Sequence, residues 1–82
     1  MNTINTSMGR YCLKAEELKN GHINGSIAIN DEGGTQLTVQ EFDEHYLDDV
    51  INNIVCPLTG GNRPIASALR DIMLKAGFKQ SH

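Results

Sequence analysis

Cysteine, proline and long apolar runs are all scarce in this chain, and lysine and arginine are missing from its whole middle. Two cysteines, Cys12 and Cys56, could close one bridge at most, too few for the disulfide framework of a small secreted domain. Both read as reduced, semi-buried small hydrophobes. Two prolines and 39% apolar residues exclude a disordered chain. No apolar run approaches the ~20 residues that a membrane span requires, so a cytoplasmic protein with no membrane contact is expected.

What is present fits one domain, since 82 residues are too few to divide. At this size only about 60 to 65% of the unfolded surface is buried on folding. The core is thin, self-association would add stability, and a homodimer is one expected state. Residues 1–9, MNTINTSMG, have neither a charged leader nor an apolar stretch; they are expected to be a flexible tail ahead of a small α+β domain over residues 10–82.

Within that domain, HINGSIAIN, residues 22–30, places Ile23, Ile27 and Ile29 on one face, the alternation of a strand. DEGG, residues 31–34, then links it to a short strand at TQLT, residues 35–38. Residues 10–19 are divided between a strand, favoured by the hairpin dipeptide Asn20-Gly21, and a helix, favoured by Tyr11, Ala15 and Leu18 at helical spacing. The strand reading is adopted.

Residues 38–56 carry an apolar rhythm of Val39, Phe42, Tyr46, Leu47, Val50, Ile51, Ile54 and Val55, which predicts a helix. Thr38 and Glu41 fit its capping box, and Pro57 is expected to stop it at Cys56. A second helix is expected from Pro64 to Ala76, with Gly77 as a left-handed cap and Phe78 folding back on Met73. Its apolar stripe is Ile65, Ala68, Leu69, Ile72, Met73 and Ala76, which leaves Leu74 among polar residues as a candidate oligomer contact. The fold class is therefore α+β, a small antiparallel sheet of two to three strands followed by two α-helices packed on it.

Chemistry is thinly signalled. The stretch TGGNRP, residues 59–64, lacks the lysine and the preceding strand of a phosphate loop. Exposed N–H groups with Arg63 would suit an anion, yet an ordinary interhelix turn explains the same residues. His22, His45 and His82 form no metal-ligand spacing, and Cys12 and Cys56 stand apart from any base. No cofactor, metal or catalytic residue is expected. On the predicted helix Asp43 points into the apolar arc, where an unpaired carboxylate is costly; water at the helix edge is the plainer explanation.

Charge layout is the remaining signal. From Asn20 to Asn62 lie Asp31, Glu32, Glu41, Asp43, Glu44, Asp48 and Asp49 with no lysine or arginine. Residues 1–19 sum to +1 and residues 63–82 to +3, which with −7 between them gives the net −3. Fields of this kind steer association with oppositely charged partners.

The expected function is that of a non-enzymatic protein-binding module or inhibitor. Glu41, Glu44, His45, Asp48, Asp49 and Asn52 would form the acidic helix face that engages a basic protein surface, for instance a nucleic-acid-binding groove. The alternative is a small dimeric regulator touching nucleic acid through Arg63, Arg70 and Lys75. Four cations after Asn62 and a low isoelectric point make that footprint weak.

Overall fold

Among the described residues, four antiparallel strands in the order β1-β2-β3-β4 form one meandering sheet, and the helical segments pack on a single face of it. The computed structural model describes residues 2–80, and His82 falls outside them. The strands are β1 (Thr3–Met8), β2 (Tyr11–Glu17), β3 (Ile23–Asn30) and β4 (Gln36–Glu44). The α+β class stands, with one strand more than the two to three expected.

That extra strand is β1, in the segment expected to be a tail. Its side chains alternate, Ile4, Thr6 and Met8 half-buried and Thr3, Asn5 and Ser7 exposed, and all six residues pair with β2. Gly9, at φ 60°, supplies the left-handed residue of a two-residue hairpin turn. Of residues 10–19, Tyr11–Glu17 form a strand, in keeping with the strand reading. Asn20-Gly21 closes the next hairpin, with Gly21 at φ 89° and the His22 N–H donating to the Asn20 side chain at 2.9 Å.

The predicted helix over 38–56 is corrected at both ends. Its first part is β4, in register with β3 from Asn24↔Asp43 to Ile29↔Thr38, so Thr38 and Glu41 make no capping box. Val39 and Phe42 fit a helical spacing, but a strand edge was already open on β3, and its ladder of hydrogen bonds outweighs a weak local preference. Only Phe42 of this strand reaches the core.

Helix begins at α1 (Leu47–Val50), widens into a π-helical turn (Ile51–Val55) and closes as α2 (Cys56–Leu58). Pro57 does not stop it. Proline cannot donate and its ring presses on the carbonyl four residues back; the wider turn, with the Cys56 N–H bonded to Ile51 O, makes room for it. The first free N–H groups of α1 have no side-chain cap. The carbonyls of Lys79 and Gln80 take them instead, at 2.8 Å from Leu47 N and 3.1 Å from Asp48 N.

The last helix, α3 (Arg63–Lys75), ends as expected. Gly77 has φ 95° and the Phe78 N–H returns to Met73 O at 3.2 Å, satisfying carbonyls that the helix leaves free. Its buried stripe is Ala66, Leu69 and Met73, turned from the predicted one, so that Ala68 and Ile72 are only half-buried. Leu74 is half-buried against the core.

The core joins Leu13, Ala15, Ile23, Ile27 and Phe42 of the sheet to Leu47, Val50, Ile51 and Val55, to the α3 stripe and to Phe78. Among the described residues, the opposite face of the sheet carries no helix.

Candidate partner-binding surface

The acids of the middle segment are divided, Asp31 and Glu32 in the β3–β4 turn and Asp43, Glu44, Asp48 and Asp49 at the opposite end of the sheet, and so do not lie along one helix. Register places Glu41 opposite Ser26 and Asp43 opposite Asn24 on the uncovered face, whereas Glu44 pairs with Ile23 on the helix side. His45 is exposed in the bend before α1; Asp48 and Asp49 are half-buried in its first turn, and Asn52 is exposed in the π-helical turn. The single polar helix face expected of Glu41, Glu44, His45, Asp48, Asp49 and Asn52 therefore does not exist, because Glu41 and Glu44 belong to a strand.

Two of these acids have cationic or ionisable partners. Asp48 Oδ1 accepts from Arg70 Nε at 3.3 Å, a half-buried pair with side chains 32% and 37% accessible. Asp43 Oδ1 lies 2.7 Å from His22 Nδ1; extended backbone carries Asp43 out of the apolar arc in which a helix would have set it. Ion pairs reach no other acid among the described residues. Glu41, Glu44 and Asp49 keep their charge facing outward or into the bend.

His22 also packs against His45 in a tilted ring contact, centroids 4.1 Å apart at 53°, and Lys79 Nζ lies 5.4 Å from the Tyr46 ring centroid. Distance in the sequence hid the His22 partnership, since a hairpin and a full strand separate it from Asp43. Among the described residues no three histidine, cysteine or acidic side chains gather in a metal-binding arrangement. Both cysteines are free and half-buried.

TGGNRP resolves into two helix caps set end to end. Gly60 (φ 68°) and Gly61 (φ 83°) terminate α2, with the Gly61 N–H on Cys56 O at 2.9 Å. Asn62 Oδ1 then accepts from Ile65 N at 3.2 Å, starting α3. The cations of α3 do not converge. Arg63 is exposed in its first turn, Lys75 in its last, about 18 Å away at helical rise, and Arg70 is engaged by Asp48.

A feature without a sequence signal is the outer edge of β4. Residues 36–41 are exposed on both faces, with Leu37 60% and Val39 47% accessible. On the helix side a groove of about 330 Å³ runs between Gln40 and the residues Asn53, Ile54, Pro57 and Leu58. Across the molecule, Thr3, Asn5, Lys14, Glu16 and Asn24 line a shallow cleft in which Asn24 Oδ1 is buried without a hydrogen-bond partner.

Among the described residues, no helix is long and apolar enough to cross a membrane. Comparison with protein families, curated proteins and solved structures returns no match.

Proposed function

We propose that this chain is a non-enzymatic protein-binding module whose acidic end engages a basic surface of a partner protein. The observation that carries the reading is the run from Asn20 to Asn62, seven acids without a lysine or arginine, of which, among the described residues, only Asp48 is met by a lysine or arginine from another element. Glu41, Glu44 and Asp49 remain available for a partner's lysines or arginines, and opposite charge accelerates such encounters. An inhibitor seated in a nucleic-acid-binding groove is one form of the same chemistry, since such grooves are built for anions.

The test is the joint variant Glu41→Lys with Asp49→Lys. It spares Asp48, whose reversal would set two cations together at Arg70. Proteins captured from host lysate by the native chain should be lost by this variant while its circular dichroism is unchanged; an unchanged captured set removes the acidic surface from the mechanism. Duplex DNA bound at low salt, with affinity falling steeply as salt rises, would instead favour the reading through Arg63, Arg70 and Lys75.

A further inference from the structure

The outer edge of β4 is a docking strip, and we infer that its occupant is an extended partner segment, apolar and β-branched over one half and lysine- or arginine-bearing over its N-terminal half. This rests on the proposed protein-binding function and names the mode of contact.

Three observations converge. First, β4 is a terminal strand of the sheet, so its outer backbone groups have no strand partner. Sheet edges in monomers are usually blunted by charged side chains, lysine above all, by proline or by a covering element. The stretch Gln36–Gln40 carries neither charge nor proline, and positions 36–41 are exposed.

A bulge does lie at the Ile29/Asn30 step, at the start of the strand. It sets Leu37 apart from the regular ladder and leaves the run from Thr38 to Glu44 in regular register. The Gln40 side chain bonds locally to Glu41 O at 3.1 Å and would have to swing aside.

Second, the edge adjoins the groove in which Ile54, Pro57 and Leu58 lie beside the polar Gln40 and Asn53. An added strand donates its main chain to the edge and sends alternate side chains to each face. Those on the helix side would enter that groove, and those on the other would cover Val39.

Third, charge is graded along the strand. The segment Gln36–Gln40 is neutral, whereas Glu41, Asp43 and Glu44 follow. An antiparallel occupant has its N-terminal half beside those acids, which is why its cations belong there. A second copy of this chain fits worse, because it brings a net charge of −3 and no cation within its own β4.

The probe is a fluorescein-labelled synthetic peptide of about eight residues, alternating valine and threonine, with lysines in its N-terminal half. A glutamate version and a version N-methylated at alternate amides serve as controls. The lysine peptide should bind with amide shifts confined to residues 36–44 and to Ile54 and Leu58. Affinity should fall about tenfold at low salt in Glu41→Lys/Asp43→Lys, and be lost with the N-methylated peptide.

Equal binding by the N-methylated peptide overturns edge docking and leaves the acidic-surface function standing. Equal binding by the glutamate peptide overturns the stated charge of the occupant. A native dimer by light scattering that Val39→Lys converts to monomer gives the edge to a second copy and overturns the inference, as does a folded chain that binds no peptide at millimolar concentration.

Discussion

His22 Nδ1 lies 2.7 Å from Asp43 Oδ1, joining the turn after β2 to the far end of β4 across 21 positions of chain. The contact also fixes the imidazole that packs against His45. Both side chains are partly in water, at 30% and 60% accessibility, so the bond orders the corner more than it stabilises the fold. His22→Ala should change the unfolding free energy by less than about 1 kcal/mol, yet move the ring-proton resonances of His45, which loses its neighbouring ring. Unmoved His45 resonances would mean that the ring contact is not held in solution.

Removing residues 1–8 tests the first strand. Ile4 and Met8 pack on the core and β1 completes the pairing of β2. About 2 kcal/mol goes with those half-buried side chains alone, which in a domain of this size lowers the melting temperature by about 10 °C. A loose tail would leave the thermal transition where it was.

At the other terminus, a chain ending at Gly77 loses the buried Phe78 and the Lys79 and Gln80 carbonyls that receive the α1 N–H groups. Large-to-small changes at buried phenylalanine cost about 3 to 5 kcal/mol, so this truncation should leave little folded protein by urea titration. A chain ending at Phe78 keeps the side chain and should lose only about 1 to 2 kcal/mol, the scale of two unmade hydrogen bonds.

Gly25 is held by a close approach of strands. A Cβ at this position would sit 2.8 Å from Ala15 Cα and collide with the Lys14 carbonyl, and backbone cannot swing away as a flexible side chain does. Gly25→Ala should cost at least about 2 kcal/mol, read as a lower midpoint in urea with an unchanged slope.

The Asp48–Arg70 pair is about one-third open to water on both sides, so a double-mutant cycle with alanine at each position should return a coupling below about 1 kcal/mol, shrinking with added salt. A larger, salt-insensitive value would mean that the seam between α1 and α3 depends on this pair.

Wherever a local rule was sufficient, the sequence could be read directly. Asn20-Gly21 marks a hairpin, the isoleucines of β3 alternate, and Asn62, Pro64 and Gly77 bracket α3, because caps and turns depend on a few adjacent residues. Elsewhere the decision was not local. Thr3–Met8 is polar and weakly patterned, and only pairing with β2 and cover from the helical layer make it a strand.

Val39 and Phe42 suit a helix by spacing and a strand by residue type, and the open edge of β3 settles the choice in favour of β4. With it goes the shape of the acidic surface. The sequence by itself determined that the middle of the chain is anionic and free of cations. Tertiary structure decided that those acids divide between the β3–β4 turn, strand β4 and the first turn of α1, with Arg70 on Asp48 and His22 on Asp43, because strand register and helix docking join residues that no local pattern connects.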